Sequence, residues 1–169
     1  MASINGLEVK NLKKFKGHEG EDCLQGSVYL NGKKLGFWSQ DSWGGCDNFD
    51  FNYKVLQDIA LKVAMTDLVE PQYRKYFDVD FLMDMLVKLK EDEKVYNKFC
   101  KQGYPCTLLV TDGYHCFYSA TKDKPSVENK GFALKYFESQ IKKYSEKCFK
   151  NQEIKVKIYN NKDDFNLRI

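Results

Sequence analysis

One stretch of the chain, Leu24-Gln-Gly-Ser-Val-Tyr-Leu-Asn-Gly-Lys-Lys-Leu-Gly-Phe-Trp-Ser39, carries the clearest structural signal. Asn31-Gly32 divides it, and type I′ turns prefer this dipeptide because both turn residues need a positive φ. A two-residue turn pairs Leu30 with Lys33. It also pairs Val28 with Leu35. We therefore predict an antiparallel hairpin at this point of the chain.

Hydrophobic periodicity predicts the other elements. Alternation over residues 7–15 indicates a strand with room for a bulge, and Asp112-Gly113 predicts a second hairpin. Helical spacing of apolar residues predicts three helices, the second of which can be capped by Asp78 or Asp80. The predicted order is strands at 7–15, 24–30 and 35–40, helices at 53–68 and 79–101, strands at 106–111 and 115–119, a helix after Ser126, a strand at 153–159, and a short last strand or a tail at 163–169.

This order, βββ-αα-ββ-α-β, departs from the strict βαβα alternation of doubly wound folds. It predicts an α+β fold, with a largely antiparallel sheet and helices on one face of that sheet. A length of 169 residues is typical of one domain. We therefore expect a single domain over residues 1–169.

The composition narrows the class of protein. Hydrophobic residues make up 43% and aromatic residues 15% of the chain, which argues against disorder. The sequence has no run of about 18 apolar residues, so we expect no membrane contact, and its N-terminus lacks the pattern of a secretory signal. We expect a cytoplasmic location, in which the six cysteines would be free thiols. No two of them have the C-x-x-C spacing of a zinc ribbon.

The candidate binding surface lies where two loops should meet. If the first three strands zigzag side by side, loop 16–23 and segment 40–48 lie at one end of the sheet. We call this surface the rim. Trp43 suits a contact, because tryptophan is enriched among binding hot spots; the alternative is that it packs over the sheet edge, as most large aromatic side chains do. The candidate binding residues are His18, Glu19, Glu21, Asp22, Asp41, Ser42, Trp43 and Asp47.

The first alternative function is a small-ligand-binding or hydrolytic enzyme that uses the same rim. His18 would be its acid or base, assisted by Asp41, Asp47 or Cys46, and a thiol nucleophile would be Cys23 or Cys46. The sequence contains no metal-binding spacing, phosphate loop or nucleotide fingerprint. We therefore predict no catalytic residue, no metal ligand and no cofactor.

The second alternative function is a nucleic-acid binder that contacts phosphates through lysine clusters. All but two of the 27 basic residues are lysines, and the net charge is only +3, whereas dedicated nucleic-acid binders concentrate charge and favour arginine. The simpler interpretation is that the lysines are solvated and guard a strand edge. The clusters are Lys10, Lys13, Lys14 and Lys16 on the first strand, Lys33 and Lys34 at the turn, and Lys142, Lys143, Lys147 and Lys150 on the last helix.

The segment Asn31-Gly-Lys-Lys-Leu-Gly-Phe-Trp-Ser-Gln-Asp-Ser-Trp-Gly-Gly45, preceded by Lys16-Gly-His-Glu-Gly-Glu21, resembles segments of small uncharacterised accessory proteins of low-GC bacteria and their phages or plasmids. The resemblance covers about the first third of the chain and carries no catalytic residue. It implies a mobile-element protein that binds and blocks a host factor, as anti-CRISPR and other anti-defence proteins do. We therefore predict a non-enzymatic binding protein that occludes a host defence protein through loops 16–23 and 40–48.

Overall fold

The computed structural model describes residues 1–112, 115–122, 130–146 and 154–169. It confirms the α+β class. The chain divides into two compact units: unit 1 comprises Met1–Glu91 and Phe165–Ile169, and unit 2 comprises Asp92–Asp164. This division does not decide how many domains the chain forms, so a single domain over residues 1–169 stays a prediction.

The described elements follow the predicted order and add short ones to it. The strands are β1 (Ser3–Ile4), β2 (Leu7–Lys16), β3 (Asp22–Leu30), β4 (Lys33–Ser39), β5 (Asn48–Phe49), β6 (Cys106–Thr111), β7 (Cys116–Thr121), β8 (Lys155–Tyr159) and β9 (Asn166–Leu167). The helices are α1 (Lys54–Ala64), α2 (Val79–Lys101) and α3 (Lys130–Tyr144), with short 3₁₀ helices at Pro71–Tyr76 and Lys162–Phe165. Among the described helices, none is long and apolar enough to cross a membrane.

The strands form two sheets, one in each unit. Unit 1 holds a six-stranded sheet in the order β5-β4-β3-β2-β1-β9, and unit 2 holds a three-stranded antiparallel sheet in the order β7-β6-β8. Every neighbouring pair of the larger sheet is antiparallel except β1 and β9. The predicted antiparallel pairing is therefore confirmed, and it is distributed over two sheets.

The Asn31-Gly32 hairpin forms as predicted. The φ angles of the two residues are +49° and +79°, and Leu30 pairs with Lys33. The register then shifts, so that Val28 faces Gly36. The predicted pair of Val28 with Leu35 is wrong, because a β-bulge inserts one extra residue into β4 at this point.

β2 contains the bulge that its broken alternation indicated. The register against β3 shifts between Lys10 and Lys13, and Asn11 has a φ of +54°. An extra residue in one strand strengthens the local twist of the sheet. The bulge lies midway along β2, so the strand changes direction before it reaches the rim.

A second Asn-Gly turn joins β1 to β2, and sequence reasoning overlooked it. Asn5 and Gly6 have φ angles of +49° and +77°, and Ile4 pairs with Leu7 across the turn. The backbone N–H of Asn31 donates to the carbonyl of Gly6 at 2.9 Å. A Cβ at position 6 would also collide with the side-chain oxygen of Asn31, so glycine is needed here for its conformation and for its size.

The helix α1 of unit 1 keeps one face buried. The buried residues of α1 are Leu56, Ile59, Ala60, Val63 and Ala64, a stripe at helical spacing. Val55 and Met65, two further apolar residues of the predicted helix 53–68, are exposed. α2 has the predicted bounds, and Asp78 caps it by accepting a hydrogen bond from Phe81 N–H at 3.1 Å.

Unit 2 packs α3 against β6 and β7. All six residues of β6 are buried, as expected for a central strand between two neighbours. Phe137, the buried anchor of α3, joins Cys106, Leu108 and Val110 in one hydrophobic cluster. Phe137 is thus the residue by which α3 joins the core of unit 2. Ser126, after which the sequence predicts this helix, lies outside the described residues.

The second hairpin has a longer connection than Asp112-Gly113 predicted. Thr111 pairs with Cys116, so four residues join β6 to β7. The carboxylate of Asp112 accepts hydrogen bonds from His115 N–H at 2.6 Å and pairs with His115 Nδ1 at 3.0 Å. These contacts hold His115 in the connection, which explains why the strand begins one residue later than expected.

Within unit 2, a buried carboxylate joins the part of α2 that begins at Asp92 to the three-stranded sheet. Asp92 is 1% exposed and accepts hydrogen bonds from Tyr118 Oη at 2.7 Å and from Tyr159 Oη at 2.6 Å. Burial, with the adjacent Asp92 carboxylate, raises the pKa of Tyr159. Tyr159 therefore keeps its proton and remains a donor.

We expect Tyr159→Phe to lower the free energy of unfolding by about 1–3 kcal/mol, because it removes one of the two tyrosine donors to a buried carboxylate. Urea unfolding followed by circular dichroism measures the change. The matched control is Thr107→Val, since Thr107 is the buried residue of β6 whose hydroxyl finds no partner among the described residues. This control should be neutral or stabilising; equal losses in both variants would contradict the assignment.

Candidate functional site

The two loops of the rim meet in the structure. The backbone N–H of His18 donates to the carbonyl of Ser42 at 2.8 Å. The rings of His18 and Trp43 stack, with centroids 3.5 Å apart and planes inclined by 22°. They meet because β2, β3 and β4 run antiparallel side by side, which brings both connections to the same end of the sheet. The predicted convergence of loops 16–23 and 40–48 is confirmed.

The two tryptophans lie in opposite environments. Trp43 is 72% exposed, whereas Trp38 of β4 is fully buried. The indole N–H of Trp38 donates to Asp47 Oδ2 at 2.6 Å. Packing of Trp43 over the sheet edge, the alternative that sequence reasoning left open, is therefore wrong, and Trp38 is the tryptophan that supports the fold.

Loop 16–23 is held by its own acidic residues. The carbonyl of Glu21 accepts a hydrogen bond from Gly17 N–H at 2.9 Å, and its carboxylate accepts one from Glu19 N–H at 3.0 Å. Asp22 forms ion pairs with Lys14 at 3.2 Å and with Lys16 at 2.8 Å. Glu21 thus holds the shape of the loop, Asp22 pairs with lysines of β2 at the end of the loop, and the side chain of Glu19 is exposed.

Segment 40–48 folds around Asp41. Its carboxylate accepts a hydrogen bond from Gly45 N–H at 2.8 Å, and its carbonyl accepts one from Gly44 N–H at 3.3 Å. Gly44 has a φ of +76°, which favours glycine in such a turn. Ser42 and Trp43 lie at the tip of this turn, so Asp41 determines how the indole ring is presented.

Asp47 lies among other carboxylates. Its pKa is raised to about 6 by burial and by Asp80, Asp84 and Asp78, while the hydrogen bond from Trp38 opposes this rise. Its backbone N–H donates to Asp80 Oδ2 at 3.2 Å. These contacts join segment 40–48 to the start of α2 within unit 1.

Beside Asp47 lies a groove of about 480 Å³ that sequence reasoning did not find. Its wall is formed by apolar side chains, several of them aromatic, and by aspartate carboxylates. One signal was available: Tyr53, Gln57, Ala60 and Leu61 share a helix face by their spacing. Their neighbours come from separate segments, which sequence spacing does not connect. The lining residues are Cys46, Asp47, Phe49, Tyr53, Gln57, Ala60, Leu61, Phe77, Asp78, Val79 and Asp80.

The arrangement gives little support to catalysis at the rim. His18 stacks on Trp43, while Asp41 and Asp47 accept hydrogen bonds from Gly45 and Trp38. Cys23 is buried, and burial together with Glu21 raises the pKa of its thiol, which disfavours the nucleophilic thiolate. Cys46 is exposed. In the part of the chain that the structure describes, no three His, Cys, Asp or Glu side chains are grouped to hold a metal ion.

Several lysines of the predicted clusters have acidic partners. Lys10 pairs with Glu8 at 2.8 Å, Lys142 pairs with Glu146 at 3.9 Å, and Asp22 binds both Lys14 and Lys16. Exposed pairs of this kind add little stability, but they offset charge that phosphate binding would use. The pairing favours the interpretation of a solvated strand edge; Lys147 and Lys150 lie outside the described residues.

Comparison with protein-family models, with curated proteins and with solved structures finds no match for this chain. The resemblance to accessory proteins of mobile elements therefore stays a prediction.

We expect Asp47→Asn to raise the free energy of unfolding at pH 7 by about 1 kcal/mol. The gain is no larger because water screens the charge of the half-buried carboxylate. The folded protein holds the Asp47 proton up to a pKa of about 6, against a usual value of 3.8, so native Asp47 costs stability as pH rises between these values. Asparagine can still accept the hydrogen bond from Trp38.

Urea unfolding at pH 4 and pH 7 checks this expectation. The gain from Asp47→Asn should be present at pH 7 and small at pH 4. The control is Asp58→Asn, which removes an exposed carboxylate of α1 that does not line the groove, and it should not reproduce this pH dependence. A gain of equal size at both pH values would contradict the burial of charge at Asp47.

Proposed function

We propose that this chain is a non-enzymatic binding protein that captures a partner protein through the rim. The observation that carries the proposal is Trp43, which is 72% exposed yet held in place by its stack on His18. A large aromatic side chain that stays in water buries little apolar surface, so it adds little to the stability of the fold. Its orientation is better explained by contact with a partner.

Preorganisation supports this role. Binding costs conformational entropy when a side chain or loop must be ordered on contact. Here the His18–Ser42 hydrogen bond joins the two loops, and the Asp41–Gly45 hydrogen bond fixes the turn below Trp43. Much of the ordering is therefore present before the partner arrives, and tryptophan is a residue type that commonly dominates interface energetics.

The charge of the rim indicates the partner's chemistry. Glu19 is exposed, and Asp41 and Asp47 are half-buried in segment 40–48. Lys14 and Lys16 offset Asp22, which leaves the rest of the surface acidic. A partner with a basic patch around an apolar contact would be steered towards this surface, with an association rate that falls as salt increases.

Occlusion of a host factor fits such a surface, since a rigid rim can cover a partner's site without reacting with it. The resemblance of the first third of the chain suggests a mobile element as the source and a defence protein as the target. The proposal therefore includes a mobile-element source, a host defence protein as the target and a cytoplasmic location.

The test is affinity capture from a host lysate, followed by binding measurements with the purified partner. Trp43→Ala should weaken binding by about 2 kcal/mol or more, roughly thirtyfold, as expected for a central hot spot. The measurement is the equilibrium dissociation constant by calorimetry.

Tyr73→Ala serves as the matched control, because Tyr73 is also an aromatic residue of unit 1 and is 59% exposed. It should leave the affinity close to that of the parent protein. If Trp43→Ala binds the partner as tightly as the parent does, the rim is not the binding surface.

A further inference from the structure

We propose that the groove beside Asp47 is a binding site for an organic cation with an amidinium or guanidinium head and an apolar body. This site adjoins the contact surface at Trp43 without including Trp43, and Cys46 and Asp47 of segment 40–48 form part of its wall. The proposal extends beyond partner capture, because a cation of this kind can bind the chain alone.

The size and the wall of the groove suit a small ligand. Its volume of about 480 Å³ lies within the range of roughly 300–1,000 Å³ that small-molecule sites occupy. Phe49 and Tyr53 lie side by side in the wall, with ring centroids 5.0 Å apart, and Phe77 adds a third aromatic ring. Leu61 completes the apolar side and is 64% exposed. An apolar body would cover these side chains.

The polar members of the wall select the charge of the ligand. Asp47, Asp78 and Asp80 line the groove, and no lysine or arginine stands among its lining residues. A cationic head is therefore the complement of this wall. Aromatic rings add to the attraction, because their faces bind cations.

The carboxylates keep one oxygen each for a ligand. Asp47 Oδ2 accepts from Trp38, Asp78 Oδ1 accepts from Phe81 N–H, and Asp80 Oδ2 accepts from Asp47 N–H. Among the described residues, no hydrogen bond reaches the second oxygen of any of the three. Burial, together with the neighbouring carboxylates of Asp80 and Asp78, raises the pKa of Asp47. A planar head with paired N–H donors matches such oxygens better than an ammonium does.

The test uses benzamidine as the cation and benzamide as its neutral counterpart, each titrated into the full chain and followed by amide chemical shifts. Benzamidine should bind saturably and shift the resonances of groove residues, with benzamide at least about tenfold weaker, because charge-assisted pairs exceed neutral ones. Failure of benzamidine to saturate, equal binding of the two compounds, or shifts centred away from the groove would overturn the proposal.

Asp78→Asn combined with Asp80→Asn tests the carboxylates directly. Asparagine still caps helices and still accepts the hydrogen bond from Asp47 N–H, so the fold should persist, and an unchanged amide spectrum away from the groove verifies this. The double variant should lose benzamidine binding at least about tenfold, while the surface-charge control Asp58→Asn should keep it. Equal losses in the double variant and the control would overturn the proposal.

Two sources of the ligand are then distinguished with N-acetyl-arginine methylamide and its neutral citrulline analogue. Binding of the arginine compound, with the citrulline compound much weaker, assigns the groove to an arginine side chain of a protein. Binding of benzamidine without the arginine compound assigns it to a free aryl cation. Since none of these probes requires a partner protein, the outcome is independent of the fate of the Trp43 interface.

Discussion

The positive φ angles at Asn31 and Gly32 are the constraint on which the rest of unit 1 depends. A type I′ turn has the twist that antiparallel strands need, and it fixes β4 beside β3 with Leu30 opposite Lys33. Because β2, β3 and β4 alternate in direction, the loop that joins β2 to β3 and the segment that follows β4 lie at the same end of the sheet. The stack of His18 on Trp43 and the closing hydrogen bond to Ser42 are consequences of that alternation.

Local signals predicted much of this structure. The φ preferences of Asn and Gly predict the turn at Asn31-Gly32. The spacing of apolar residues along the chain predicts the bulge of β2 and the span of α2. The rim could also be predicted from the sequence, because its formation requires only that three consecutive strands lie side by side in the sheet. The turn at Asn5-Gly6 has the same dipeptide as the turn at Asn31-Gly32, but it was not predicted.

The features that escaped prediction depend on distant parts of the chain. Leu35 is bulged out of register, and no pattern in residues 33–39 distinguishes that from a regular pair. β9 pairs with β1 across more than 160 residues, a contact that periodicity does not report. The groove draws its wall from segment 46–49, from α1 and from the start of α2, so its carboxylates and aromatic rings look unrelated in the sequence.

Trp38 and Trp43 stand five residues apart, one fully buried and the other largely in water. Indole emission shifts to longer wavelength in a wet environment, so the two side chains emit at different ends of the tryptophan band. The protein thus contains two separate optical probes of its own. The short-wavelength component reports on the packing of the sheet around Trp38, and the long-wavelength component reports on the surroundings of Trp43.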